Sequence, residues 1–178
     1  MGLPTIFCCG QAYILQSPFS VVLLQQFMAL DIRQIQAPIQ QEMDEFEKKF
    51  RHFMKSNVML LDKIMGYIVK RKGKQMRPMF VFLTAGANGS INEATHRGAA
   101  LIELLHTATL VHDDVVDESD LRRGRKTANA LWGNAPSVLV GDFLYSRAFQ
   151  LMVTLDSMAI QKRLADTTNQ IAEGEVLQ

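Results

Sequence analysis

An all-α fold is predicted for this chain of 178 residues on three observations. From residue 31 onward, apolar residues recur at intervals of three and four, the spacing of one helix face. Glycine, proline, asparagine and serine gather between those periodic stretches, where helices start and stop. No convincing run of alternating apolar and polar residues marks a strand, and there is no internal repeat or low-complexity linker.

The elements follow in order. Residues 1–30 contain no Asp, Glu, Lys or Arg. They lack the basic start and small-residue cleavage site of a signal peptide. Gln16, Ser17, Pro18, Ser20, Gln25 and Gln26 break the apolar run well short of the roughly 18 residues a membrane span needs. This stretch is read as an uncharged leader without an assigned role, with Met28 an alternative start, ahead of one domain over 31–178. Ile32, Ile35, Ile39, Met43, Phe46 and Phe50 then share the apolar face of a helix that Pro38 kinks or delimits. A second helix spans 58–69 and gives way to the basic turn Lys70-Arg71-Lys72-Gly73-Lys74. A third starts near Pro78 and stops around Gly86-Ala87-Asn88-Gly89. Ser90 or Asn92 caps a long fourth helix over about 93–117. Gly124 breaks the loop behind it, and helices over about 137–155 and 159–178 complete the chain.

Composition narrows the function. A hydrophobic content of 48% and 19 basic against 18 acidic residues describe a globular chain. The net charge of +1 argues against a nucleic acid or other polyanion as partner. The only two cysteines, Cys8 and Cys9, are adjacent and offer no disulfide framework, which fits a reducing cytoplasm.

The long central helix carries the chemistry. Glu103, His106, Leu110, Asp113 and Asp117 follow steps of three and four, so they form one stripe. Asp113 and Asp117 stand about 6 Å apart along the axis. Two carboxylates held that close repel unless a cation sits between them. Hard oxygen ligands beside water suit Mg²⁺, which keeps positions for substrate phosphate oxygens. Arg122 and Arg123 follow at once, and guanidinium forks match phosphate oxygens. Upstream, Lys74 and Arg77 lie three apart where a turn enters a helix, a second place suited to an anion. Two phosphate clamps imply two phosphorylated substrates. His112 points roughly 100° away from Asp113 and is read as structural.

Gly73-Lys74-x-x-Arg77-Pro78, then Leu105-His106-x-x-x-Leu110-x-His112-Asp113-Asp114-x-x-Asp117, then Arg122-Arg123-Gly124 occur in that order. The set resembles the ordered motifs of the trans-polyprenyl diphosphate synthases, in particular their long-chain, octaprenyl-type members. Residues 138–143 and 173–178 extend the likeness, which covers about 31 to the end. The resemblance implies the N-terminal portion of the isoprenoid synthase helical bundle. It implies that Asp113 and Asp117, with Asp114 contributing, hold Mg²⁺ on an allylic diphosphate such as farnesyl diphosphate, which Arg122 also grips. Lys74, Arg77, His106 and Arg123 would bind isopentenyl diphosphate. The allylic carbon–oxygen bond would ionise, the isopentenyl double bond would attack, and a proton would leave, with no protein nucleophile or general base. Ala108 and Thr109, small residues just before Asp113, would leave room for a long all-trans product of the kind used in quinone side chains. A homodimer is the family expectation.

Family members run well beyond this length and carry a second Asp-rich motif. The chain is therefore expected to be an incomplete polyprenyl synthase domain with little activity alone. The alternative expectation is a non-catalytic subunit or relic that associates with a full-length synthase. A terpene cyclase has no use for the second clamp, and a metal phosphohydrolase rests only on His112-Asp113.

Overall fold

The computed structural model describes residues 31–70, 73 and 75–177. The leader with Cys8 and Cys9, and the expected diphosphate ligand Lys74, lie outside the described residues. The chain divides into two units, one ending at Pro38 and the other beginning at Ile39. In the first, Asp31 caps α1 (Ile32–Gln36), its carboxylate accepting from the Arg33 N–H. This helix of 5 residues buries none of them. Ile32 and Ile35 thus do not belong to the core face, contrary to expectation. Pro38 sits in a 3-10 turn (Ala37–Ile39), whose tighter winding breaks the helical phase, and the core stripe begins at Ile39.

In the second unit, α2 (Gln40–Phe53) buries Met43, Phe46 and Phe50, as the periodicity predicts. Phe46 stacks on Phe50 with centroids 5.4 Å apart, and meets Phe82 edge-on at 5.9 Å. Phe82 belongs to α4 (Met76–Asn88), and α3 (Met59–Val69) adds Ile64 and Met65 to the core. Pro78 is the third residue of α4, where its missing N–H has no helical partner to lose.

The central rod is α5 (Glu93–Val116), capped by Asn92 in a reciprocal box with Thr95. Its buried residues include Ala99, Ala100, Leu104 and Ala108, small or slim side chains that let neighbouring helices close on it. Its largest interface is with α7 (Asn134–Val153), which buries Val140, Gly141, Leu144, Ala148 and Leu151 along one stripe. Between them the chain makes a hairpin, β1 (Leu121–Arg122) with β2 (Arg125–Lys126), and a short helix, α6 (Ala128–Trp132). Neither element was expected. The strands are two residues each, too short to show alternation. The last helix, α8 (Met158–Val176), has no buried residue. Among the described residues no helix is long and apolar enough to cross a membrane.

Candidate functional site

The site is built around the end of α5. Glu118 takes a left-handed conformation at φ 49°. The Ser119 N–H reaches back to Asp114 O (3.0 Å) and the Glu118 N–H to Val115 O (3.2 Å), which closes the helix in a Schellman turn. The chain thereby reverses, and the hairpin returns toward the helix. Arg122 pairs with Arg125, leaving Arg123-Gly124 as a two-residue loop. Both loop residues have positive φ, 53° and 73°, the signature of a type I′ turn. Glycine accepts that conformation freely; Arg123 adopts it at a cost of about 1–2 kcal/mol.

That return brings Arg122 onto Asp114. The Nε donates to Asp114 Oδ1 at 2.6 Å, and Asp114 is only 5% exposed. Asp114, expected beside Asp113 and Asp117 as a metal ligand, thus directs its carboxylate to the arginine. Asp113 is half-buried and Asp117 exposed at the helix cap, and no hydrogen bond or ion pair among the described residues engages either side chain. Burial holds the Asp113 carboxyl above its ordinary range; Arg122 opposes this, while Asp117 and Asp114 reinforce it. Two open carboxylates one turn apart fit a hard cation that draws its other ligands from water and phosphate. Among the described residues, no group of three or more acidic, His or Cys side chains is arranged to hold a metal.

A cavity of about 830 Å³ opens beside this helix end. Arg77 from α4, His106 from α5 and the hairpin arginines Arg122 and Arg123 all line it. Its walls carry six cationic side chains against three carboxylates, two of which, Glu47 and Asp114, already bond to Arg51 and Arg122. The surplus suits the cavity to an anion. Burial, and then Arg77, Arg122 and Arg123, push His106 down to about 4, so its ring is neutral at ordinary pH. Arg123 also lies against the glycine of the upstream motif: a Cβ on Gly73 would come within 2.5 Å of Nη1. The two basic motifs, far apart in sequence, therefore meet. Asp113 and Asp117 do not line this cavity, and neither do Ala108, fully buried, or Thr109, which donates to His106 O at 2.9 Å.

Several residues escaped the sequence reading. Glu103, on the stripe but without a role in the sequence, lines the cavity with a buried Oε2 that has no hydrogen-bond partner among the described residues. Burial raises its carboxyl, against the pull of Arg77 and Arg123. Gly141 was noted only as part of a motif. A Cβ there would come closer than 3.0 Å to the His112 ring, which stacks on Tyr145 at 5.7 Å with Nε2 3.2 Å from Val138 O. His112 is thus the wedge between α5 and α7, in keeping with its reading as structural. Thr127 and Asn129, which fasten the hairpin, were not singled out. The signal for their helix was present, since Thr127 caps it and Gly133 ends it at φ 86°.

Comparison with known proteins gives the family and the fold. The family model for polyprenyl synthetase matches residues 58–178. The chain is 50% identical over 153 residues to an all-trans-nonaprenyl-diphosphate synthase (geranyl-diphosphate specific) of Rhodobacter capsulatus, a match that takes in 85% of this chain and 47% of the relative. It is 55% identical over 125 residues to octaprenyl diphosphate synthase of Escherichia coli K12, covering 70% of this chain and 39% of that one. The crystal structure of a polyprenyl synthase from Caulobacter crescentus, complexed with calcium and isoprenyl diphosphate, superposes with a TM-score of 0.78 at 40% identity. That match covers 83% of this chain and 45% of the other. The chain therefore spans less than half the length of these relatives. A half-length match of this kind still joins fold, motif order and sequence identity, and the chain belongs to the polyprenyl synthetase family.

Proposed function

We propose that this chain carries the diphosphate-binding half of a trans-prenyltransferase that adds isopentenyl diphosphate units to an allylic diphosphate, giving long-chain polyprenyl diphosphates for quinone side chains. The observation that carries the reading is the cationic cavity, in which Arg77, His106 and Arg123 converge from three segments. On this reading they bind isopentenyl diphosphate, together with Lys74. The arginines supply charge-assisted forks. A neutral His106 donates one hydrogen bond without adding a charge that the apo cavity would have to bear.

Asp113 and Asp117 would hold Mg²⁺ against the allylic diphosphate, and the bound ion would neutralise charge on the leaving group. Arg122 faces the same diphosphate from the hairpin. Asp114 keeps the Arg122 guanidinium at the helix end in this arrangement. The tail of the product would run back along α5 past Thr109.

Isothermal titration of the chain with isopentenyl diphosphate in the presence of Mg²⁺ tests the reading. Saturable binding is expected, weakened about tenfold by Arg77→Ala or Arg123→Ala. Absence of binding, or binding indifferent to both substitutions, overturns it. A second reading, a non-catalytic subunit carried by a longer synthase, is favoured by α8, which buries none of its 19 residues and exposes Ile160 and Ile171. Co-purification with an active synthase would support that reading, and elongation by the chain alone would count against it.

A further inference from the structure

We propose that Asn129 is a positioning residue for the arginine hairpin, holding Arg122 and Arg123 in place through the backbone that carries them. The proposal rests on the diphosphate reading above and adds to it a residue that touches neither substrate nor metal. Two paired strands of two residues cannot hold their own geometry in water. The loop is also strained at Arg123, φ 53°, and so is the turn that leads into the hairpin at Glu118, φ 49°. Such conformations persist only where the surroundings over-determine them.

Among the described residues the surroundings are identifiable, and on the outgoing strand Tyr67 Oη donates to Lys126 O at 2.7 Å. Asn129 Nδ2 donates to Asp114 O at 3.0 Å and to Ser119 O at 3.1 Å, so one amide ties the last turn of α5 to the start of the hairpin. Beside it, Thr127 Oγ1 donates to Ser119 O at 2.6 Å and the Thr127 N–H to Asp120 O at 2.9 Å. The amide sits on α6, whose Trp132 meets Tyr67 of α3 edge-on at 5.1 Å, so its base is braced. Asp114 is the shared point, since its carbonyl accepts from Asn129 and its carboxylate from Arg122. A fault at Asn129 would therefore reach Arg122 through Asp114, and Arg123 through the strand that leads into the turn. Only donors serve here, because both partners are carbonyls. Asn129 Oδ1, by contrast, is buried with no hydrogen-bond partner among the described residues.

The test is a double-mutant cycle on the whole chain, read by calorimetric titration with isopentenyl diphosphate and Mg²⁺. Asn129→Ala should lower affinity about tenfold, two neutral hydrogen bonds being lost. In the Arg123→Ala background the same substitution should change little, because the hairpin arginine assigned to this ligand is gone. A loss of equal size in both backgrounds marks a general structural effect and overturns the proposal, as does wild-type affinity in Asn129→Ala. Asn129→Ser, which keeps one donor for the two carbonyls, is the milder variant should Asn129→Ala not fold. It should cost about threefold and show the same dependence on Arg123; an unchanged affinity, or a loss independent of Arg123, overturns the proposal. Should the wild-type chain itself fail to bind, the diphosphate reading falls first and this inference falls with it.

Discussion

Replacing Gly141 with alanine puts a methyl group where the His112 ring now lies. The new Cβ would sit closer than 3.0 Å to Nε2, Cδ2 and Cε1, inside van der Waals contact. The ring therefore has to leave. Leaving forfeits its stack on Tyr145, worth about 1 kcal/mol, and its contact with Val138 O, worth about another. Alanine returns about 1 kcal/mol of helix propensity, because Gly141 lies within α7. The net loss is about 1 kcal/mol if the ring swings free, rising to about 3 kcal/mol if α5 and α7 must part. For a chain of this size that corresponds to a fall in Tm of about 2–10 °C. The assay is thermal denaturation followed by circular dichroism, in wild-type and His112→Ala backgrounds. With the ring already removed, Gly141→Ala should raise stability by about 1 kcal/mol. A stabilising effect in both backgrounds, or an equal loss in both, would refute the wedge.

Three further outcomes are expected. His106 should stay neutral well into acid: an unfolded imidazole takes its proton near 6.5 and the native one at about 4. Stability from the neutral ring is thus complete above pH 6.5 and drains as pH falls toward 4; an NMR titration of the His106 ring with a midpoint near 6.5 would contradict this. Asp114→Asn keeps the shape of the carboxylate but removes its charge from a pair in which Asp114 is buried and Arg122 only partly so, so urea denaturation should show a loss of about 1–3 kcal/mol, and an unchanged midpoint would show the pair to be idle. Thr109→Phe should shorten the prenyl products in any elongation the chain supports, read from the chain-length distribution after dephosphorylation. It is a cleaner probe than Ala108→Phe, because Ala108 is fully buried and a ring there would strain the core, and an unchanged distribution would sink the tunnel reading.

Helix identity was legible because it depends on neighbours three and four residues away. The stripe from Met43 to Phe50, the Asn92 cap and the Glu103-His106-Asp113-Asp117 row are all local patterns, and their motif order carried the family. The short pieces were not legible. A hairpin of two-residue strands leaves no alternation to read, and the Ile32–Ile35 face was misjudged because a 3-10 turn shifts phase without changing composition.

The sequence by itself determined an α-helical chain, a carboxylate pair one turn apart, and basic residues suited to phosphate. Only the tertiary structure decided that Asp114 faces Arg122, that Arg123 lies on Gly73, and that Gly141 exists to admit His112. Those outcomes depend on how far the chain reverses after α5 and how closely two helices approach. Such distances are set by packing between distant segments, for which no local spacing carries a signal.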